Sequence, residues 1–243
     1  MSLRAILFDA GNTLLFLDYP RLATAVARAT GVNLTADLLA EKGEEAAAML
    51  ERSDGTDRER ASRFLETLFR LGGVPAEQNE IVRTTLLELH RVRHLWGRVD
   101  PTTGPALERL AGAGYRLGVV SNSDGRAEEA LIALDLRRHF EFVVDSHLVG
   151  VEKPDPRIFG LALERMGMAP SEALYVGDLY EIDVVGARRA GLDVILLDPR
   201  GRQRHRDVRT AASIADVVAM VLSGHQAASQ QAGPANQIGE RRP

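Results

Sequence analysis

Near residue 100 the hydrophobic pattern of this chain changes period, and that change dictates what the chain can fold into. Beyond it, short apolar runs alternate with helical stretches of roughly ten residues. Gly104 to Ala113 reads as helix and Leu117-Gly118-Val119-Val120 as strand. Arg126 to Leu134 is helical, followed by the strand Phe142-Val143-Val144. Pro156 to Met166 is helical, followed by Ala173-Leu174-Tyr175-Val176. Val184 to Ala190 is helical, followed by Val194-Ile195-Leu196-Leu197, and Ser213 to Leu222 makes a last short helix. Strands joined through helices run parallel, with right-handed crossovers and helices on both sheet faces. Apolar runs without polar alternation suit strands buried on both sides.

Ala5-Ile6-Leu7-Phe8 is a further strand of this kind, standing alone at the start. Between it and residue 100 the pattern is helical. Leu22, Val26 and Ala29, then Phe64, Leu65, Leu68 and Phe69, recur at helical spacing, with breaks at Ser53-Asp54-Gly55 and Gly72-Gly73-Val74-Pro75. Four helices and no strand are expected over Pro20 to Leu95. The fold class is therefore α/β, a Rossmann-like parallel-sheet core with an inserted α-helical cap domain. The core takes residues 1–17 and 98–223, and the cap takes 18–97. Residues 224–243 are polar and low in complexity, and disorder is expected there.

Composition narrows the function classes. A net charge of −4 without a basic stripe speaks against nucleic acid as a partner. The absence of cysteine excludes thiolate chemistry and disulfides. No apolar run approaches the roughly 20 residues that span a bilayer. Met1-Ser2-Leu3-Arg4 leads into a strand without a signal-peptide pattern. The expectation is a cytoplasmic protein without membrane attachment, monomeric or homodimeric.

The carboxyl ends of parallel strands share one edge, where ligands bind. Four segments bring polar groups to that edge: Asp9, Ser121-Asn122-Ser123-Asp124, Val151-Glu152-Lys153-Pro154, and Gly177-Asp178 followed by Asp183. Singly, each has a plain structural reading as a turn carboxylate, a helix N-cap, a solvated lysine, or acidic partners of a helix N-terminus. Together they bring a carboxylate nucleophile, donors, a cation and metal-binding carboxylates, the groups that phosphoryl chemistry needs.

In order and type these segments resemble the motifs of the haloacid dehalogenase (HAD) superfamily of hydrolases, in the subclass with a helical cap after the first strand. The likeness runs from residue 4 to about 222, through Asp9, Thr13 and Leu14, then Ser121, Lys153, and Gly177-Asp178 with Asp183. It implies that Asp9 attacks a small phosphorylated substrate and forms an aspartyl-phosphate. Lys153 would pair with Asp9 and the transferring oxygens. Ser121 would hold those oxygens, with Asn122 as an extra donor. Asp9, Asp178 and the Gly11 carbonyl would hold Mg²⁺, with Asp183 acting directly or through water.

The first motif departs from the family in the string Phe8-Asp9-Ala10-Gly11-Asn12-Thr13-Leu14-Leu15. Family phosphatases usually carry a second Asp two residues after the nucleophile, to protonate the leaving oxygen. Gly11 has no side chain to do so. Asn12 replaces the usual Gly, and Asn tolerates a left-handed backbone. Three readings stand. One is a phosphatase for leaving groups already stable as anions, such as acyl or aryl phosphates, aided by water or by Asp18, Tyr19 or His94. Another is a catalytically weakened binding protein. The third is a dehalogenase-type hydrolase, a branch that usually has Tyr at this position and needs no metal, against which Asp178 and Asp183 both count.

His90 and His94 stand four apart on a helix face, with no acidic residue between them or near at the right offset for a metal ligand, and a surface role is expected. Tyr19 and Trp96 lie at the two chain crossings and suit hinge packing, with the lining of a substrate entrance as the alternative for either ring. Arg200, Arg202, Arg204 and Arg206 read as a solvated loop or a phosphate-facing rim.

Overall fold

The computed structural model describes residues 3–50 and 55–231. Strand β1 is Ala5–Phe8, and a short β2, Phe16–Leu17, leads into four helices: α1 Tyr19–Thr30, α2 Ala36–Leu50, α3 Asp57–Leu71 and α4 Asn79–Val92. Strand β3, Trp96–Arg98, returns the chain to the core. There α5 Thr103–Gly112, β4 Arg116–Ser121, α6 Ala127–Ala133, β5 Val143–Asp145, α7 Ser146–Val149 and α8 Pro156–Met166 follow. The chain continues through β6 Ala173–Gly177, a π-helical turn over Tyr180–Val184, α9 Val185–Arg189, β7 Asp193–Leu197, β8 Arg209–Ala211 and α10 Ile214–Gln231.

Six strands form one sheet in the order β5-β4-β1-β6-β7-β8. Every pairing in it is parallel. All residues of β1 are buried because helices cover both faces. Ile6 and Phe8 join a cluster with Leu107, Leu131 and Val217 under α5, α6 and α10. Ala5 and Leu7 join Ile158, Phe159 and Ala187 under α8 and α9. The inserted helices have their own core, built on Leu22, Leu39, Leu68, Phe69 and Leu86. Local signals start and stop them. Asp18 caps α1 by accepting from Arg21 N, left-handed Gly31 ends it, and Thr56 with Glu59 forms a capping box on α3.

The α/β class, the parallel core and the four inserted helices match the sequence reading. Three features were not expected. β2 and β3 pair antiparallel at the two crossings, and β8 adds an edge strand after the arginine-rich loop. Helix α10 runs to Gln231, so it crosses the boundary at 224 where the disordered tail was placed. Residues 232–243 of that tail lie outside the described residues.

The arginine loop faces neither solvent alone nor a phosphate rim. Arg200 and Arg202 reach Glu44 on α2, and Arg206 pairs with Glu181 at 3.3 Å and lies over the Tyr180 ring. The loop thus ties the core to the inserted helices. Asp18 and Tyr19 are likewise structural. Asp18 pairs with Arg93 at 2.6 Å, and Tyr19 packs so closely on α2 that a side chain at Gly43 would collide with its hydroxyl. Among the described residues, no helix is long and apolar enough to cross a membrane.

Candidate active site

β1 ends at Phe8 and β6 at Gly177, and the two strands are neighbours in register. Their carboxyl ends therefore bring Asp9 and Asp178 to one edge. β4, on the other side of β1, ends at Ser121. Lys153 comes from the loop between α7 and α8. These residues floor a cavity of about 1190 Å³ whose roof includes Phe64, Leu65, Leu86 and Leu87 of the inserted helices.

Lys153 is the centre of the polar floor. Its side chain is 2% exposed, and its ammonium donates to Asp9 Oδ1 at 2.6 Å, Asp183 Oδ1 at 2.8 Å and Tyr175 Oη at 2.9 Å. Three donors thus meet three acceptors, as a buried charge requires. Burial alone would lower the lysine, but Asp183 and Asp9 outweigh it and hold it well above its ordinary value. Burial pushes Asp9 up to about 6; Lys153 pulls against that, and Asp183 adds to it. Asp178 is held well above the usual carboxylate range by burial and then by Asp9 and Asp183.

Asp183 faces four donors. Lys153 Nζ and Tyr175 Oη meet its Oδ1, while the N–H groups of Asp178 and Leu179 donate to Oδ2 at 3.1 and 2.9 Å. The π-helical turn carries it inward, and Gly177 makes the room, since a Cβ there would stand 2.4 Å from Asp183 Cγ.

Asn122 has a structural role that the sequence reading did not include. Its Nδ2 donates to the Lys153 carbonyl at 3.0 Å and its Oδ1 accepts from Lys153 N at 2.8 Å. These bonds clamp the backbone of the lysine and use one of the two amide N–H donors, and Asn122 also lines the cavity. Ser121 is not a helix N-cap, because α6 starts at Ala127. It is the buried last residue of β4 and lines the cavity, and its hydroxyl makes a 3.4 Å contact to the Asn122 carbonyl.

Asn12 has the expected left-handed backbone, φ 52°. Its side-chain oxygen accepts from Trp96 Nε1 at 3.2 Å, and it also bonds Asp178. Trp96 thus lines the cavity, the alternative named for it, and reaches the first motif. A Cβ built at Gly11 would lie 3.6 Å from the same indole nitrogen, an ordinary contact.

One participant, Tyr175, and one pairing, that of Asp124 with the histidines, escaped the sequence reading. Tyr175 sits in an otherwise apolar buried strand, and a hydroxyl there has to find a partner, which was the available signal. Asp124 meets His90 at 2.6 Å and His94 at 3.9 Å, so the two histidines do have an acidic neighbour, supplied by a distant loop.

The residues present can hold a cation. Oxygens of Asp9, Asp178 and Asp183 lie within 4.8 Å of one another, and Lys153 is the one cation in contact with this group among the described residues. Three carboxylates facing one ammonium leave net negative charge in a mostly buried site. An oxygen-only donor set of that charge fits a hard divalent ion.

Fold and site together define a hydrolase of the α/β class with a carboxylate at the tip of its first strand. The family model for haloacid dehalogenase-like hydrolases matches residues 3–191, and the chain belongs to that family. A glyceraldehyde 3-phosphate phosphatase from Methanothermobacter thermautotrophicus is 31% identical over 208 residues, covering 84% of this chain and 90% of its own. The haloacid dehalogenase-like hydrolase domain-containing protein 3 of Xenopus laevis is 33% identical, covering 82% and 86%. The crystal structure of the putative HAD-hydrolase YfnB from Bacillus subtilis superposes with a TM-score of 0.65 at 19% identity, covering 91% of this chain and 100% of that one.

Proposed function

We propose that the protein is a Mg²⁺-dependent phosphatase that works through an aspartyl-phosphate on Asp9. The observation that carries this reading is the contact of Lys153 with both Asp9 and Asp183, beside Asp178 on the same cavity floor. The phosphatase relative of similar length supports the reaction class.

Asp9, Asp178 and the Gly11 carbonyl would hold the ion, with Asp183 behind them orienting Lys153. Mg²⁺ bound there supplies charge that relieves repulsion between the carboxylate and the phosphoryl oxygens. Asp9 attacks phosphorus, the bond to the leaving oxygen breaks, and that oxygen departs with the electron pair. Lys153 holds Asp9 in line and faces the transferring oxygens, while the Ser121 hydroxyl donates to one of them. Water then attacks the aspartyl-phosphate, releasing inorganic phosphate and restoring the carboxylate.

Gly11 offers no proton to the leaving oxygen. Substrates whose leaving group is stable as an anion are therefore preferred, and the apolar roof of Phe64, Leu65, Leu86 and Leu87 suits an aryl group. A hydrolysis screen with Mg²⁺ should show acyl and aryl phosphates turned over and alkyl phosphates poor. Gly11→Asp should raise alkyl phosphate turnover by about 10²-fold or more. A variant that folds, binds Mg²⁺ and gains nothing would overturn the role given to the missing acid. Release of halide from a 2-haloacid, or no turnover of any phosphate, would overturn the phosphatase reading itself.

Metal binding should also depend on pH in a defined direction. Asp9 is raised from 3.8 to about 6, so between those values the folded, metal-free protein holds protons that the unfolded chain has released. Its stability contribution is therefore lost as pH rises through that window. Mg²⁺ competes with those protons. At saturation it should raise Tm by about 5 °C near neutrality and much less below about pH 5. Equal shifts at both pH values in thermal scans would show that the ion does not engage these carboxylates.

A further inference from the structure

We propose that His90, His94 and Asp124 form a second metal site, selective for a borderline divalent cation of the zinc class, at the seam between the inserted helices and the core. His90 is on the last turn of α4, His94 follows that helix, and Asp124 is in the loop after β4. Ligand atoms of the three lie within 4.8 Å of one another. His90 Nε2 stands 2.6 Å from Asp124 Oδ2, and His94 Nε2 stands 3.9 Å from Asp124 Oδ1. The two imidazoles meet edge to face with centroids 4.7 Å apart.

A tetrahedral ion with bonds of about 2.1 Å needs its ligand atoms about 3.4 Å apart. The two imidazole–carboxylate distances, 2.6 and 3.9 Å, lie on either side of that spacing, and all three ligand atoms already fall within 4.8 Å of one another. Two nitrogens and one oxygen from the protein leave a fourth position open toward the cavity, which all three residues line. Imidazole donors favour zinc-class ions over Mg²⁺, so this site and the all-carboxylate site sort different metals.

The surroundings are compatible with a cation. Arg126 is close, but its guanidinium is held by Glu129 at 2.9 and 2.7 Å and also donates to the His90 carbonyl. His90 Nδ1 is buried without a partner among the described residues, so the engaged nitrogen of that ring is the one facing the cluster. His94 Nδ1 accepts from Trp96 N at 3.2 Å, and this one long contact has to yield when Nε2 takes a metal. A bound ion would join α4 to the β4 loop and so fasten the roof of the cavity to its floor.

The test uses the full chain, freed of metal, with Mg²⁺ in excess to fill the carboxylate site. Titration with Co²⁺ should give the visible bands of a four-coordinate ion, displaced by one equivalent of Zn²⁺. The same bands should appear in an Asp178→Asn background, which separates this site from the other. His90→Ala and Asp124→Asn should each weaken Zn²⁺ binding by about 10²-fold in equilibrium dialysis, with circular dichroism reporting the fold. Binding that survives both substitutions, or no Zn²⁺ uptake by the folded wild-type chain, would overturn the proposal.

Discussion

Asp9→Asn is expected to lower phosphate-ester turnover by at least about 10⁴-fold, because the side chain loses its nucleophilic oxygen while keeping its shape. The amide oxygen can still accept from Lys153, which also retains Asp183 and Tyr175 as partners. Binding and fold should therefore outlast chemistry, and the loss should fall on kcat. Mass spectrometry of rapidly quenched reactions supplies the complementary reading: a phosphoryl adduct on the wild-type chain and none on the variant. Turnover within about tenfold of wild type would remove Asp9 from the nucleophile's role.

Lys153→Met should be the most destabilising change at the site. It removes the one ammonium that, among the described residues, touches Asp9 and Asp183, both nearly closed to solvent, and leaves carboxylates uncompensated. Breaking a buried pair from one side costs about 3–5 kcal/mol. Urea unfolding near neutrality should show that loss, and a shrinking deficit as pH falls, because protonated carboxylates no longer need the lysine. Adding Asp183→Asn to the variant should recover part of the stability, since one stranded charge is then gone. A single variant as stable as wild type would mean that the cluster does not hold the loops together.

What the sequence revealed depended on how far each feature reaches. The strands β1, β4, β6 and β7 were legible because each is a run buried on both faces, and an apolar run of that length between two helices suits a strand far better than a helix. β2, β3 and β8 span only two or three residues, too short to carry a period, and unlike the equally short β5 none of them lies in an apolar run between two helical stretches. Asp9 and Asp178 were legible as types at strand ends, and Lys153 as a type in the loop that follows a strand, since topology brings those segments to one edge. Atom-level roles were not. An asparagine beside a phosphate site has donors enough for the phosphate or for a backbone, and only coordinates show that Asn122 clamps Lys153. His90 and Asp124 belong to different layers, so no local spacing could join them.

The register of β1 also bears on how the chain assembles. Ala5 pairs with Arg116 on one side and Ala173 on the other. The first strand made is therefore the central one, and both of its neighbours arrive only after the inserted helices have been synthesised. Contacts so distant in sequence are slow to form by diffusion of an open chain. The β2–β3 pairing shortens that search, because once the inserted helices fold as a unit, the two core segments flanking them emerge side by side. On this account the insertion is a folding aid as well as a roof, and cutting the β2–β3 contact should slow refolding more than it lowers stability.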